Sequence, residues 1–273
     1  MEERNDNKMK SDFDMIVRRI DSTEPVTVYP LADVHLGAIE HNEKEWEALV
    51  RKIAETPNTY VTLGGDLINN NTRSSVGSPW DDTIRPREQK RLMVEHLEPI
   101  RDRILCCVSG NHERRSMKDA DDDPTYDILS KLDLEDVYRP NAAFVKLQLG
   151  KETTRPNRWY NTYTLAVTHG AGGGIYTGAT VNRNERWGNV IENLDCVIVG
   201  HTHKGTITRP SKIVLDPVAN KAILKSYLVI SCVSWQKYGS YALQKMLLPA
   251  TTARPMVLKL KATPGGKDIE TVW

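Results

Sequence analysis

Five short apolar runs, each followed at once by glycine or a polar side chain, constrain the fold of this chain more than any other feature of its sequence. The runs are residues 26–31, 59–63, 104–108, 164–167 and 196–199. Short continuous apolar runs that end in this way are typical of buried strands in a largely parallel sheet. The sequence therefore predicts five such strands.

Longer segments with helical spacing of apolar residues occur between these runs, at residues 43–55, 86–101 and 182–193. Strand followed by helix, repeated along the chain, predicts βαβ units and an α/β fold whose sheet is covered by helices. In open α/β sheets, ligands bind just beyond the carboxyl ends of the strands. We therefore expect the polar residues that follow the five runs to converge at one edge of one sheet.

The polar clusters that follow the runs contain five of the seven histidines of the chain. The clusters are Asp33-Val34-His35, Gly64-Gly65-Asp66, Gly110-Asn111-His112-Glu113, Thr168-His169-Gly170 and Gly200-His201-Thr202-His203. Each cluster alone has an ordinary structural interpretation, such as a chance Asp-x-His pair at the surface or an asparagine that caps a helix. Five clusters in this order, each after a strand-like run, favour a shared chemical site.

The side chains in the clusters are of the types that bind transition metals. Asp33 and His35 are two residues apart on a chain predicted to be extended, so both are expected to point to the same side. Asp66 follows two glycines, which allow close approach of the backbone, and its two oxygens can bridge two cations. Mixed imidazole, carboxylate and amide ligands suit Mn, Fe or Zn better than Ca or Mg. Without cations, crowding these groups together would carry an uncompensated desolvation cost.

As a set, the motifs Asp-x-His, Gly-Asp, Gly-Asn-His-Glu, a histidine at a strand end and Gly-His-x-His resemble the signature of the calcineurin-like metallophosphoesterases, over residues 26–204. The resemblance implies an α/β fold, the four-layer α/β/β/α sandwich with two mixed sheets, and two divalent metal ions. It implies that Asp33, His35, Asp66 and His203 bind the first ion, and that Asp66, Asn111, His169 and His201 bind the second, with Asp66 bridging. Mn²⁺ is the favoured metal, with Fe, Zn and Ni as alternatives.

The resemblance also implies how such a site would act. Two cations would activate hydroxide for in-line attack on a phosphoester and neutralise the charge that develops. His112, which is not a ligand in the family, would stabilise charge near the scissile phosphate or protonate the leaving oxygen. Family members commonly carry Asp or His three residues after the Gly-Asp aspartate, where this chain has Asn69. Either Asn69 assists His112 more weakly, or another acid such as Asp81 or Asp82 folds in.

The sequence constrains the substrate less than the chemistry. Arginines near the clusters are candidate phosphate contacts, because the guanidinium group matches phosphate geometry. Together with Asn69 these candidates are Arg73, Arg114, Arg115, Arg183 and Arg186, of which the last two could equally form the solvated face of a helix. Since the protein-phosphatase pattern Gly-Asp-x-Val-Asp-Arg-Gly is absent, a phosphodiesterase (a nuclease or a nucleotide hydrolase) is favoured. The alternatives are a phosphomonoesterase acting on a small metabolite and a metal-binding scaffold without catalysis.

The composition limits the partners. A net charge of +1, from 37 basic and 36 acidic residues, provides no strong field for long-range capture of nucleic acid, although a local basic groove is compatible with it. No apolar run approaches the ~20 residues of a membrane helix, and four cysteines without a CxxC pair indicate buried free thiols in a reducing compartment. We therefore expect a cytoplasmic protein, without membrane association, that acts on a phosphoester such as nucleic acid or a nucleotide; its oligomeric state stays open.

The 273 residues predict one elaborated domain at 25–273 after a partly flexible N-terminal extension at 1–24. Within this extension, residues 13–20 have helical apolar spacing. Residues 213–215 and 223–233 predict an antiparallel hairpin, which together with a strand at 257–261 would complete the second sheet. Residues 234–248 are predicted to form a helix or a lid.

Overall fold

Two mixed β-sheets of six strands each form the centre of the molecule. The computed structural model describes residues 11–154, 159–174, 176–244, 246–249 and 254–273. Strands of the two sheets pack against each other, and helices contact each sheet. This arrangement confirms the predicted four-layer α/β/β/α fold. Residues 1–10, the first part of the predicted N-terminal extension, lie outside the described residues.

The first sheet contains the strands that precede the first three polar clusters. Its spatial order is β14 (Ile269–Val272), β13 (Val257–Leu260), β2 (Val26–Leu31), β3 (Thr59–Leu63), β4 (Ile104–Val108) and β5 (Tyr138–Arg139). Neighbouring strands from β2 to β5 are parallel, whereas β13 joins β2 antiparallel. The bounds of β2, β3 and β4 coincide with the predicted runs, because nearly every residue of these strands is buried.

The second sheet contains the strands that precede the last two clusters. Its spatial order is β1 (Ile16–Asp21), β6 (Ala142–Glu152), β7 (Trp159–Thr168), β8 (Cys196–Val199), β12 (Leu228–Ser231) and β9 (Thr206–Thr208). The prediction that all five clusters lie at the edge of one sheet is therefore wrong. β7 pairs with the long strand β6 and with β8, and it meets β4 only across the interface between the sheets.

Six α-helices flank the sheets in the described parts of the chain. They are α1 (Glu43–Glu55), α2 (Pro86–Leu97), α3 (Glu113–Ala120), α4 (Pro124–Ser130), α5 (Thr177–Val190) and α6 (Ser240–Gln244). α1 has its predicted bounds and buries one apolar face that includes Trp46 and Ile53. The helix predicted over 86–101 changes to 3₁₀ geometry after Leu97, because Pro99 has no N–H to donate. The helix predicted over 182–193 begins and ends earlier, as α5.

The helical interpretation of residues 13–20 is wrong, because residues 16–21 form strand β1. Ile16 and Ile20 are buried, whereas Val17 between them is 48% exposed. Two apolar residues four positions apart fit a helix and a strand equally well. Parallel pairing with β6 decides the outcome, and it makes this part of the predicted extension an edge strand of the second sheet.

The C-terminal predictions are confirmed in part. The hairpin forms from β10 (Ser211–Asp216) and β11 (Lys221–Ser226), but as a separate two-stranded sheet. Of the strands expected to complete the second sheet, only β12 does so, whereas β13 joins the first sheet beside β2. Within 234–248 the described residues form one short helix, α6, and residue 245 lies outside them.

The hydrophobic core is continuous across both sheets. Trp46 of α1 and Trp235 after β12 meet edge to face in it, with ring centres 5.3 Å apart. Cys106, Cys107, Cys196 and Cys232 are buried and free, as predicted. None of the helices described here combines the length and the apolar character needed to span a bilayer.

Candidate metal centre

The five polar clusters converge from both sheets. Asp33 and His35 follow β2, Asp66 follows β3, Asn111 and His112 follow β4, His169 follows β7, and His201 and His203 follow β8. The backbone N–H of His201 donates to both carboxylate oxygens of Asp33, at 3.0 and 2.9 Å, and so joins the two sheets. The site therefore lies where the carboxyl ends of strands from two sheets meet.

Left-handed backbone turns these side chains toward one another. The φ angle is +56° at Asp33, +50° at His35, +52° at Asp66, +71° at His201 and +56° at His203. Residues other than glycine rarely adopt such angles, and they concentrate at functional sites. Asp33 and His35 thus do not lie on an extended chain as predicted. Their side chains still approach each other, with His35 Nε2 3.9 Å from Asp33 Oδ1.

Asp33, His35, Asp66 and His203 form the first group of predicted ligands. His35 Nε2 lies 3.1 Å from His203 Nε2 and 3.8 Å from Asp66 Oδ2. His203 Nε2 lies 3.3 Å from Asp33 Oδ1. Asp33, His35 and Asp66 are buried, and His35 Nδ1 has no hydrogen-bond partner. Two imidazole nitrogens and two carboxylates therefore lie close together, with Asp33, His35 and Asp66 buried and His203 partly exposed.

Asp66, Asn111, His169 and His201 form the second group. His169 Nδ1 donates to the Gly64 carbonyl at 2.8 Å, which leaves the lone pair of the neutral ring on Nε2. That Nε2 lies 2.9 Å from Asn111 Oδ1 and 3.2 Å from Asp66 Oδ2. His201 Nδ1 lies 2.7 Å from Asn111 Oδ1. Oxygen atoms that face a nitrogen lone pair repel it unless a proton or a cation lies between them.

The spacing of these atoms suits metal ions. Ligand atoms about 2.1 Å from a cation are about 3.0 Å apart in octahedral and about 3.4 Å apart in tetrahedral geometry. The closest ligand pairs in the two groups are 2.7 to 3.3 Å apart. Asp66 has neighbours in both groups, which is the position that a bridging carboxylate requires. The residues present therefore fit two divalent cations.

The carboxylates and imidazoles shift one another's pKa values. Burial raises the pKa of Asp66, but the imidazoles of His169 and His112 outweigh it and hold that pKa well below its usual range. Burial lowers the pKa of His169, but the Asp66 carboxylate raises it to about 10. Burial is also the main cause that lowers the pKa of His35 and His201. Without a cation, His169 thus holds the proton that a bound metal ion would replace.

His112 lies beside both groups, and a backbone carbonyl orients its ring. Nδ1 donates to the Asn69 carbonyl at 2.6 Å, so Nε2 is turned toward the site, 3.8 Å from Asp66 Oδ2. The backbone N–H of His112 donates to Asp66 Oδ1 at 2.8 Å. Burial is the main cause that lowers the pKa of His112, and the Arg115 guanidinium adds to it.

The partner of His112 differs from both predicted arrangements. Asn69 reaches His112 through its backbone carbonyl, while its side-chain amide donates to Asp82 Oδ1 at 2.7 Å. Asp82 also accepts from the side chains of Asn71, at 2.6 Å, and Gln89, at 2.9 Å. Asp82 does fold in, but it holds the loop that presents the Asn69 carbonyl. The side chain of residue 81 lies outside the described residues.

Glu113 supports the site, and the sequence interpretation gave it no role. Its buried carboxylate accepts hydrogen bonds from the backbone N–H groups of Asp66 at 3.0 Å, Ile68 at 3.1 Å and Gly110 at 2.9 Å. These bonds fasten the end of β3 to the end of β4. Burial, followed by the charge of Asp66, raises the pKa of Glu113. The available signal was the glutamate of Gly-Asn-His-Glu itself.

Glycine is required at position 110 because the Asp66 loop packs directly on it. A Cβ atom there would overlap both Oδ1 and the backbone nitrogen of Asp66. The glycine of the Gly-Asn-His-Glu motif therefore makes room for the central carboxylate of the site.

The residues predicted to contact the substrate differ in what surrounds their side chains. Arg115 Nη1 lies 3.1 Å from His112 Nδ1 and donates to Asn71 Oδ1 at 3.0 Å. Arg114 donates to the carbonyls of Ser109 and Pro140 and so braces the backbone. Of the candidates described so far, Arg115 and the backbone carbonyl of Asn69 therefore lie next to His112, whereas Arg114 donates to other backbone carbonyls.

The remaining candidates lie on α5, which carries Arg183 and Arg186, and in the loop after Asn71, which carries Arg73. Arg183 donates to the carbonyls of Gly172 and Gly173, in the loop that follows His169. Arg73 and Arg186 are exposed. The exposure of Arg186 agrees with the alternative interpretation, in which it belongs to the solvated face of a helix.

A family model and a curated protein match the sequence of this chain. The model of the calcineurin-like phosphoesterase family matches residues 26–205. The DNA polymerase II small subunit of Thermoplasma acidophilum is 26% identical over 133 residues, which are 45% of this chain and only 25% of that protein's length. A solved structure of a conserved protein from Streptococcus pneumoniae, described as a predicted phosphoesterase, is 12% identical. That match covers 92% of this chain and 100% of the other, with a TM-score of 0.34.

Proposed function

The chain belongs to the calcineurin-like phosphoesterase family, whose members hydrolyse phosphoesters with divalent metal ions, and we propose that it is a binuclear phosphodiesterase. The proposed ligands are Asp33, His35, Asp66 and His203 for one ion, and Asp66, Asn111, His169 and His201 for the other. Mn²⁺ is the metal we favour, because the donor set mixes imidazoles with carboxylate and amide oxygens.

The preference for diesters is supported by one observation, which concerns the candidate arginines around His112. A phosphomonoester carries a charge of about −1.5 to −2 at neutral pH, whereas a diester carries one negative charge. Among the five candidate arginines, Arg115 approaches His112, and the other four either donate to backbone carbonyls or are exposed. A diester has two non-bridging oxygens and a monoester has three, so one guanidinium beside the metal ions leaves fewer oxygens of a diester without a partner.

Nucleotide phosphodiesters are the substrate class that we propose. The relative named DNA polymerase II small subunit supports this class, although it matches over a quarter of its own length. Trp80 supports it as well. It is 93% exposed on the 3₁₀ turn Pro79–Asp81, directly before the Asp82 that holds the loop at His112. An exposed indole provides a face on which a base can stack.

The residues around the proposed metal ions would divide the chemistry among them. Bound divalent ions supply Lewis-acid stabilisation of phosphoryl oxygens and lower the pKa of water. His112 donates Nδ1–H to Asn69, so a proton on Nε2 makes the ring a cation that faces the phosphoester. In that form it neutralises developing charge and gives its proton to the leaving oxygen. Arg115 would bind a non-bridging oxygen from the His112 side.

Hydrolysis of bis-p-nitrophenyl phosphate and p-nitrophenyl phosphate, with Mn²⁺ and with chelator, tests this proposal. The wild type should cleave the diester faster than the monoester and lose activity with chelator. His112→Asn should keep two metal ions per chain and lose about 10²–10⁴-fold in turnover. His96→Asn, a histidine of α2 outside the site, is the matched control and should keep its activity.

The other outcomes would contradict parts of the proposal. Preference for the monoester would remove the diester assignment. One metal ion per chain would remove the binuclear site. If two ions bind and neither ester nor a single-stranded oligonucleotide is cleaved, a more specialised substrate or a metal-binding scaffold takes the place of the proposed diesterase.

A further inference from the structure

The open edge of the second sheet continues as a hairpin beyond the sheet. β9 is the edge strand and pairs antiparallel with β12. The chain that follows β9 and the chain that precedes β12 pair with each other as β10 and β11. Between these two ladders, the backbone N–H of Tyr227 donates to the Pro210 carbonyl at 3.1 Å. Within the described parts of the chain, β10 pairs with β11 alone, so its outer edge is open.

This hairpin presents an apolar face to solvent. Ile213, Leu215 and Leu224 are 72%, 76% and 75% exposed. They lie on one face, because Ile213 is directly opposite Leu224 and Leu215 is two residues further along the strand. A strand edge with open backbone groups and an apolar face is a template for pairing with another chain, and proteins normally protect such edges.

The ladder determines which backbone groups point to the open edge. Hydrogen-bonded and non-hydrogen-bonded pairs alternate in antiparallel strands. Tyr227 and Pro210 form a hydrogen-bonded pair, and Val214 and Ile223 are four residues further along the ladder, so they form one as well. The backbone N–H and C=O groups of Val214 therefore point toward β11, into the hairpin. The N–H and C=O groups of Ile213 and Leu215 therefore point outward.

The sequence of β10, from Lys212 to Asp216, is complementary to itself. We propose that a second copy of this chain pairs with β10 in the antiparallel direction, about a two-fold axis at Val214. Ile213 then faces Leu215 of the second copy, and their outward N–H and C=O groups exchange hydrogen bonds on both sides of the axis. Lys212 faces Asp216 of the second copy, which adds an opposite-charge pair on each side.

Other registers lack this complementarity. Moving the axis by one residue in either direction sets Lys212 and Asp216 against uncharged residues. Self-pairing of β11 about Ile223 would set Lys221 against Lys225. Within the hairpin, Lys212 is directly opposite Lys225, an unfavourable like-charge pair. Asp216 of a second copy places a negative charge beside that pair.

The existing contacts of the two charged residues permit this pairing. Lys212 Nζ donates to the Ile191 carbonyl at 3.4 Å and lies 5.4 Å from the centre of the Tyr227 ring. The hydrogen bond is long, so a carboxylate competes with it readily. Asp216 Oδ1 accepts two backbone N–H groups of the turn. A carboxylate has further acceptor sites, so it can keep the turn and bind Lys212 of the second copy.

Sedimentation equilibrium of the full chain, over a series of concentrations in low salt, tests the proposal. The wild type should form a dimer. Lys212→Asp alone and Asp216→Lys alone should each raise the dissociation constant by about tenfold or more, because each change creates two like-charge pairs. An equimolar mixture of the two variants should form a heterodimer of near wild-type affinity, because each pair is again of opposite charge.

The mixture separates lost pairing from a damaged hairpin, since damage would persist on mixing. Lys44→Asp is the matched control, with the same change of charge on the exposed side of α1, and it should still dimerise. A monomeric wild type would overturn the proposal and leave the apolar face to another kind of partner. Equal weakening by the control, or failure of the mixture, would overturn it as well.

Discussion

Glu113→Gln perturbs the support of the site while keeping the size of a buried side chain. Glu113 Oε2 accepts from the N–H groups of Asp66 and Gly110, and Oε1 accepts from Ile68. The glutamine will place its NH₂ group where Oε1 stood, since this orientation leaves one backbone donor without an acceptor rather than two. A buried donor that loses its acceptor costs about 1–3 kcal/mol.

Removal of the charge offsets part of this cost. Burial raises the pKa of Glu113, which means that the ionised carboxylate is unfavourable in this position, and a neutral amide avoids that penalty. We expect the lost hydrogen bond to outweigh the relief and the free energy of unfolding to fall by about 1–2 kcal/mol. For a chain of this size the melting temperature should then fall by about 2–8 °C.

Thermal unfolding followed by circular dichroism in the presence of chelator measures this change. Glu45→Gln, on the exposed side of α1, is the matched control and should leave the melting temperature unchanged. Glu113→Ala, which removes all three hydrogen bonds, should destabilise more than the glutamine variant. The reasoning is refuted if Glu113→Gln behaves like the control, or if Glu113→Ala costs no more than Glu113→Gln.

Three further predictions concern the loop, the glycine and the metal ions. Asp82→Asn should lower diester turnover about tenfold with metal binding retained, because it loosens the loop that orients His112. Asp119→Asn is the control and should keep the wild-type turnover, so equal kinetics for the two variants would contradict this prediction. Gly110→Ala should abolish metal binding, measured as ions per chain, whereas Gly173→Ala, which has open space around it, should bind metal normally. Metal binding by Gly110→Ala would show that the Asp66 loop can move to accept the added methyl group. Mn²⁺ at about 100 times its dissociation constant should stabilise the fold by about 2.7 kcal/mol for each ion bound, and a melting temperature unaffected by chelator would argue against a site formed in the folded state.

Much of the fold and most of the site residues are predictable from short stretches of sequence. The bounds of β2, β3, β4 and β8 match their apolar runs, because strands with almost no exposed residue have near-continuous apolar sequences. The chemistry of the site is also local information, since it depends on which residue types follow each strand. Asp66 and His169, which are 103 positions apart in sequence, could be assigned to one site on that basis.

The supporting contacts are less predictable, because each joins segments that are distant or differently oriented. Asp82 contacts Asn69 across 13 residues, and nothing in the intervening loop marks that pairing. The Asn69 carbonyl contacts His112 where a side chain was expected, because a backbone group can replace a side-chain acceptor. Glu113 accepts from three backbone N–H groups, and sequence motifs carry little information about such bonds.

The sequence by itself determined the strands that carry the site, the donor atoms available to metal ions and the family to which the chain belongs. Only the tertiary structure decided that two sheets supply these donors, that residues 16–21 form a strand and that, among the described strands, β10 pairs with β11 alone. The physical reason is that apolar runs and ligand types are properties of short segments. Strand partners, and the burial that follows from them, depend instead on which distant segment forms the most stable backbone hydrogen bonds and packing at an open edge.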